Sequence, residues 1–304
     1  MSLFVVDPGW ATRVVDGGRP STRSLGVPVG GAADRTSWML GNALVGNAPE
    51  TPALEIALKG PVLRADAEVA GVVFGAPFEM HSARQAFRAG RTFTLSPGEE
   101  LHIGGTASGM RAYLCVPGGF QTHDILGSQS ALATIERGAS LACASSRLRA
   151  RFVGLDCSLV RAPTSWWELR VLPGQQANWF ASMIEFQCQA FDVTSDSNRM
   201  GLRLRGVPLA RPDQEMISEP VCPGSVQVTR DGQCIILGID GQTIGGYPKI
   251  AQVIRADLDA LGQMRPGDMV CFESIDLAAA RQADQARQAA LEEWIMRMRV
   301  SLAG

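Results

Sequence analysis

Ile239-Asp240-Gly241-Gln242-Thr243-Ile244-Gly245-Gly246-Tyr247-Pro248-Lys249-Ile250 is the most informative stretch of this 304-residue chain. Before it, Cys234 to Ile239 is a short apolar run bounded by turn residues, the pattern of a buried strand. After it, Ile250, Val253, Ile254, Leu258 and Leu261 recur at helical spacing, which predicts a helix over 250–261. In the loop between, Gly245 and Gly246 let the backbone turn and approach a ligand, while Asp240, Gln242, Thr243, Tyr247 and Lys249 supply charge and hydrogen-bonding groups. The same residues also suit a plain connection in which Thr243 caps, Pro248 stiffens and Lys249 is solvated. Scarcity favours a site: the only tyrosines are Tyr113 and Tyr247, and the only lysines are Lys59 and Lys249.

Outward from this stretch, short β-rich runs recur at Leu3 to Val6, Val69 to Phe74, Arg111 to Val116, Glu168 to Leu172 and Ser225 to Val228. Gly and Pro punctuate them, so the chain reads as mainly β with some α. Helical periodicity is confined to Thr36 to Leu44, Ala177 to Glu185, the segment after Ile250, and a terminal helix over 277–302 with a stripe of Leu291, Trp294, Ile295, Met298 and Leu302. The polar, Pro-containing segment from Arg161 to Trp167 is the best boundary. It divides the chain into residues 1–165 and 166–275, with 276–304 as the C-terminal helix. Ser96-Pro97-Gly98-Glu99 and Arg265-Pro266-Gly267-Asp268, each ahead of an apolar run, echo one another across that boundary.

Composition excludes several functions. Apolar residues make up 46% and charged residues 19% of a chain with 33 Gly and 17 Pro, which fits a globular fold rich in turns and neither disorder nor a coiled coil. A net charge of -2 without charge runs gives no footprint for nucleic acid or an anionic membrane surface. Seven cysteines lack zinc spacing, and His81, His102 and His123 lie in separate segments, so no metal is expected. The N-terminal residues show no signal-peptide pattern and no apolar run spans a membrane, so a cytoplasmic location is expected. There is no P-loop, no dinucleotide fingerprint and no nucleophile elbow.

A second polar stretch, Ser197-Asn198-Arg199-Met200-Gly201, leads into alternating Leu and Arg, as in a half-exposed strand. Arg199 at its turn has the chemistry to hold a carboxylate or a developing oxyanion. Near the start, Asp16-Gly17-Gly18-Arg19 and Gly26-Val27-Pro28-Val29-Gly30-Gly31-Ala32-Ala33-Asp34 supply Asp16, Arg19 and Asp34, which serve either a site or the turns themselves.

In order and spread, these stretches resemble the biotin-dependent carboxyltransferase family, which includes KipA-type proteins, the C subunit of bacterial 5-oxoprolinase (also called allophanate hydrolase subunit 2) and the carboxyltransferase portion of urea carboxylase. The resemblance rests on Val15 to Arg19, Gly26 to Asp34, Tyr113 to Gly119, Gly127 to Ala131, Ser197 to Gly201, Gly224 to Val228 and, most specifically, Gln242 to Ile250. Departures stand at Val15 for a Gln, Gln129 and Ala131 for an Arg and a Thr, and Gly241 for a basic residue.

The resemblance implies two cyclophilin-like β-barrel domains plus the C-terminal helix. It implies an enzyme subunit that is inactive alone and works with KipI-type and LamB/YcsF-type partners to open 5-oxoproline to glutamate with ATP. The alternatives are biotin-dependent carboxyl transfer to urea or a related amide, and non-catalytic regulation of a KipI-type protein. ATP in the assembled complex, or carboxybiotin from a partner, is the implied cofactor; the Met-Lys-Met setting for biotin attachment is missing, so none is attached to this chain. A small amide or lactam is the implied substrate. On this reading Lys249, Arg199 and Tyr247 are catalytic, Gln227, Gln242, Thr243, Gly245 and Gly246 bind substrate, and Asp16, Arg19 and Asp34 are further contributors from the first half.

Overall fold

The structure, a computed structural model, describes residues 1–152, 159, 164–180, 183–210 and 216–303. The expected boundary falls partly outside these residues, at 161–163. The chain separates into two compact units: Met1–Gly18, Asp34–Pro163 and Ala289–Gly304 form one, Arg19–Ala33 and Thr164–Gln288 the other. The segment Arg19–Ala33 thus groups with the second unit, and the terminal helix, Leu277–Ala303, is shared out at Gln288, so neither follows a simple division in chain order.

The first unit is built from two sheets. In one, Ser140–Ala142, Ser2–Asp7, Val62–Ala65, Glu100–Thr106, Phe78–His81 and Ala86–Phe87 lie side by side; in the other, Ala11–Val15, Ala53–Ala57, Arg111–Cys115, Val69–Gly75 and Phe93–Leu95 do. Leu3, Val5, Leu54, Ile56, Leu63, Val73, Leu101 and Leu114, all but fully buried, belong to one core. Both sheets feed that core, because alternate residues of a strand face the same side. The helix Arg35–Leu44 begins where Asp34 accepts hydrogen bonds from Ser37 N (3.0 Å) and Ser37 Oγ (2.6 Å), satisfying one of the free amides of the first turn.

The second unit is a closed barrel in the order Trp166–Pro173, Lys249–Val253, Ser225–Val228, Cys234–Leu237, Gly201–Arg205, Phe191–Val193, Met269–Ser274. Closure leaves no free sheet edge. Trp166–Pro173 runs parallel to Met269–Ser274, and every other pairing is antiparallel. Trp167, Leu169 and Val171 alternate into a core that includes Phe186, Phe191, Val226, Ile236 and Val270. The expected mainly β chain with few helices and a barrel is what is found; among the described residues the strands of the first unit form two sheets.

The helix expected from Ile250 is not there. Lys249–Val253 is a barrel strand, followed by a 3-10 turn at Arg255–Asp257 and a four-residue helix at Leu258–Leu261. Ile250, Ala251 and Val253 are all buried, so the apolar spacing reflects a strand covered on both faces, where helix and strand patterns coincide. Over 177–185 there is a 3-10 turn at Ala177–Trp179 and a short helix at Met183–Gln187, with 181 and 182 outside the described residues.

The echoed turns are alike in detail. Gly98 and Gly267 both have positive φ (79° and 91°), Glu99 N and Asp268 N donate back to Ser96 O and Arg265 O, and the acidic side chain accepts from the first residue's amide in each. One turn design thus recurs in both units, at the same point before a strand.

Candidate functional site

A concave pocket of about 210 Å³ lies on the barrel, lined by Asn198, Met200, Gly201, Arg203, Gln227, Thr229, Ile235, Leu237, Gln242 and Tyr247. Its floor comes from three neighbouring strands, Gly201–Arg205, Cys234–Leu237 and Ser225–Val228, and its wall from the glycine-rich loop. Gln227 sits opposite Lys249 across a β-bulge in which Ile250 is the extra residue. A bulge re-aims the side chains on either side of it, and here it divides them. Gln227, only 1% exposed, lines the pocket, whereas Lys249 does not.

Among the described residues the lining carries three carboxamides, two hydroxyls and one guanidinium, those of Asn198, Gln227, Gln242, Thr229, Tyr247 and Arg203, with the Thr229 hydroxyl donating to Gln233 O at 2.9 Å. Gly245 leaves room for the carboxamides of Gln227 and Gln242 side by side. A β-carbon placed there would lie 2.5 Å from Gln227 Nε2, closer than packing allows, and in tight contact with Gln242 Nε2 at 3.0 Å. Gln227 Nε2 also reaches Tyr247 O at 3.5 Å. Such a lining can donate and accept at once, as recognition of an amide or lactam requires, and the guanidinium of Arg203 is suited to a carboxylate.

Among the described residues Arg203 is the one cation lining the pocket, and it falls outside the expected set. The signal was available: in the alternating Leu and Arg strand, Leu202 and Leu204 face the core, which sends Arg203 to the opposite face.

The two cations expected to act are committed elsewhere. Lys249 is 6% exposed, and its Nζ donates to Glu219 Oε2 at 2.6 Å. Gln176 closes the group: its Nε2 donates to Glu219 Oε2 (3.2 Å) and its Oε1 accepts from Lys249 N (3.1 Å). The hydrogen bond from Lys249, then that from Gln176, hold the Glu219 carboxyl below the usual glutamate range. Glu219 is brought here because Glu219–Pro220 pairs with Ile244–Gly245. Arg199 makes a bidentate pair with Asp240, Nε to Oδ2 at 2.6 Å and Nη2 to Oδ1 at 3.0 Å, and Nη2 also donates to Gly31 O at 2.8 Å. It therefore ties the 197–201 turn to the 239–241 turn and to the Gly30-Gly31 segment.

The remaining expected site residues divide. Gln242 and Tyr247 line the pocket, with Tyr247 36% exposed. Thr243 is buried, and its carbonyl accepts from Val221 N (3.0 Å), so it supports the wall. Gly246 is exposed beside Ser218. The loop leads into a strand, so no helix N-terminus is aimed at a ligand. Arg19 is buried in the second unit, its N donating to Val29 O at 2.6 Å.

Asp16 and Asp34 belong to the first unit and do not line the pocket. Asp16 accepts from Ser128 Oγ, Ser130 Oγ and Gln129 N, each at 2.6 Å, and from Gly18 N at 2.8 Å. Burial pushes its carboxyl up, but the hydroxyl and amide donors together outweigh burial and hold it below the ordinary value of 3.8. Asp34 caps a helix, and its N donates to the hydroxyl of the fully buried Tyr113 at 2.7 Å. Three of the four departures have structural roles: Val15 is core, Ala131 packs against that core, and Gln129 Oε1 accepts from Thr122 N. At the fourth, a β-carbon on Gly241 would meet Met200 O at 2.8 Å, so the backbone there excludes a larger residue.

Among the described residues no cluster of three or more His, Cys, Asp and Glu is placed to hold a metal, and no helix is long and apolar enough to cross a membrane.

A mainly β chain whose closed barrel carries a polar pocket on its strand face is the class that fold and pocket define. The carboxyltransferase domain family, subdomains A and B, matches residues 25–274, and the chain belongs to that family. It is 33% identical to the C subunit of 5-oxoprolinase from Escherichia coli (strain K12), over 97% of this chain and 98% of that protein. It is 28% identical to urea amidolyase of Lachancea kluyveri over 95% of this chain, which spans 18% of that protein. Among solved structures, that of Kluyveromyces lactis urea amidolyase superposes with a TM-score of 0.87 at 26% identity, covering 96% of this chain and 20% of that one.

Proposed function

We propose that this chain is the carboxyltransferase-type subunit of a 5-oxoprolinase, and that its barrel pocket holds 5-oxoproline or a closely related carboxylate-bearing amide. The observation that carries this reading is the end-to-end match to the C subunit of 5-oxoprolinase, 98% of whose length is covered. The pocket chemistry supports it. 5-Oxoproline carries a lactam and a carboxylate, and the lining offers carboxamides for the first and Arg203 for the second.

Opening a lactam or activating an amide places negative charge on the carbonyl oxygen, which aligned N–H donors stabilise. Gln227 Nε2 and Gln242 Nε2 are the donors this reading assigns to the carbonyl oxygen, and Arg203 fixes orientation. ATP, when bound in the complex, supplies the phosphoryl group that activates the oxygen. One guanidinium does not balance a triphosphate, so ATP is not assigned to this pocket. The same limit leaves turnover to an assembly with KipI-type and LamB/YcsF-type partners.

The test is co-expression with the neighbouring reading frames, followed by an assay of glutamate released from 5-oxoproline. Release that needs both ATP and the partner chains supports the reading, and turnover by the isolated chain contradicts the subunit role. A second reading, biotin-dependent carboxyl transfer to urea from a partner's carboxybiotin, is favoured by the 0.87 superposition on urea amidolyase. ATP- and biotin-dependent consumption of urea by the complex would select it. Non-catalytic control of a KipI-type partner predicts binding without either turnover.

A further inference from the structure

The first unit has a cavity of its own, of about 360 Å³, lined by Gln85, Ala86, Phe87, Arg88, Arg91, Thr92, Phe93, Thr94, Arg147, Leu148 and Ala150. Among the described residues, three arginines and no acidic residue stand on this lining. Among the described residues, no carboxylate lies within ion-pair distance of Arg88, Arg91 or Arg147.

The backbone holds these cations together. Arg88-Ala89-Gly90-Arg91 is a tight turn: Arg91 N donates to Arg88 O (3.1 Å), and Gly90 has a φ of 73°, a conformation that favours glycine. A turn of this kind keeps its first and last Cα atoms within about 7 Å, so Arg88 and Arg91 share one rim. Gly90 N is itself anchored to Val73 O at 2.9 Å. Arg147 comes from another segment, held against Phe93–Leu95 by threonine hydroxyls. Thr94 Oγ1 donates to Leu148 O (3.1 Å) and accepts from Leu148 N (3.2 Å), while Thr92 Oγ1 accepts from Arg151 N (2.7 Å). Phe87 and Phe93, 4.9 Å between ring centroids, give an apolar side, and Arg88 is stacked over Phe152 with its guanidinium carbon 5.5 Å from the ring centroid.

Like charges gathered without counter-charges repel one another, and a concave wall concentrates their field. Guanidinium groups at several angles match an anion with several oxygens better than a single carboxylate. We infer that this cavity binds a phosphate-bearing small molecule, with Arg88, Arg91 and Arg147 on the phosphates. The inference is independent of the function proposed above, because none of these residues lines the barrel pocket.

The test is isothermal titration of the full-length protein with pyrophosphate, AMP, ADP and ATP at constant ionic strength. It is repeated with Arg91→Ala and with Arg147→Ala, with thermal melts as a folding control. Pyrophosphate and the di- and triphosphates are expected to bind more tightly than AMP. Each substitution is expected to weaken that binding at least tenfold while leaving the melting midpoint unchanged or slightly raised, since each removes a repelling charge. Equal affinities for pyrophosphate and ATP would mean that phosphate alone is read; tighter ATP binding would mean that the aromatic side contributes as well. No binding of any of the four at millimolar concentration, or affinities unchanged in both variants, would overturn the inference.

Discussion

Lys249 Nζ and Glu219 Oε2 lie 2.6 Å apart, and that contact commits the lysine of the glycine-rich loop to an ion pair outside the pocket its neighbours line. In this arrangement Lys249 braces Glu219 and lies outside the set of residues that line the pocket. Lys249→Met should therefore lower the unfolding midpoint. Because Glu219 is held below the ordinary glutamate value of 4.5, its share of stability is present above that value and lost as pH falls through the depressed one. Thermal melts from pH 7 down to acid should show this loss in the wild type and a smaller one in Lys249→Met. Identical profiles would deny the coupling.

Arg199→Ala should destabilise the second unit by about 2–3 kcal/mol, since it breaks a largely buried bidentate pair and leaves Asp240 and Gly31 O without that donor. Arg199→Lys should recover part of the loss, because a lysine reaches one partner but not the whole fork. Chemical denaturation measures both. A catalytic Arg199 would give the opposite pattern, with stability intact and activity gone.

Gly245→Ala should weaken ligand binding more than it weakens the fold. The added methyl is directed at the carboxamides of Gln227 and Gln242, the first of which is buried and has little room to move. A loss of at least tenfold in affinity with a melting midpoint within a few degrees is expected. A collapse of the midpoint instead would make Gly245 a folding residue only.

Asp16→Asn should cost about 1–2 kcal/mol, because an amide cannot accept the same four donors. Its carboxyl is held below 3.8, so the wild-type contribution is complete above the ordinary aspartate range and is lost as pH falls through the depressed value. The stability gap between wild type and Asp16→Asn should narrow toward acid pH. Activity of an assembled complex should be unaffected under conditions where the variant is folded, since Asp16 does not line the pocket.

Much of the fold was legible because it depends on local patterns. Val69–Gly75, Arg111–Cys115 and Ser225–Val228 read as strands from their short, largely apolar runs, and the helix Arg35–Leu44 from its period, whereas its Asp34 cap shows only in the structure. The segment after Pro248 misled because a strand buried on both faces carries no alternation. The site was half legible. Gln227, Gln242 and Tyr247 fall in recognisable motifs and do line one pocket. The pairings that remove Lys249 and Arg199 involve Glu219 and Asp240, 30 and 41 positions away, and only the folded barrel brings them together. The alternation with leucine placed Arg203 on the outer face of its strand, but that this face carries a pocket depends on neighbours across the sheet. The arginines of the first-unit cavity are scattered over 88–147 and have no motif.

The most direct test of the central claim is titration of the assembled complex, wild type and Arg203→Ala, with 5-oxoproline and with 2-pyrrolidinone, which keeps the lactam and lacks the carboxylate. Arg203 is exposed, makes no ion pair among the described residues, and should change stability by no more than about 0.5 kcal/mol when removed. A charge-assisted hydrogen bond to a carboxylate is worth about 1.5–3 kcal/mol, so Arg203→Ala should weaken 5-oxoproline binding about tenfold to a hundredfold and leave 2-pyrrolidinone unchanged. Equal binding of 5-oxoproline by wild type and Arg203→Ala would contradict the assignment of this pocket to a carboxylate-bearing lactam.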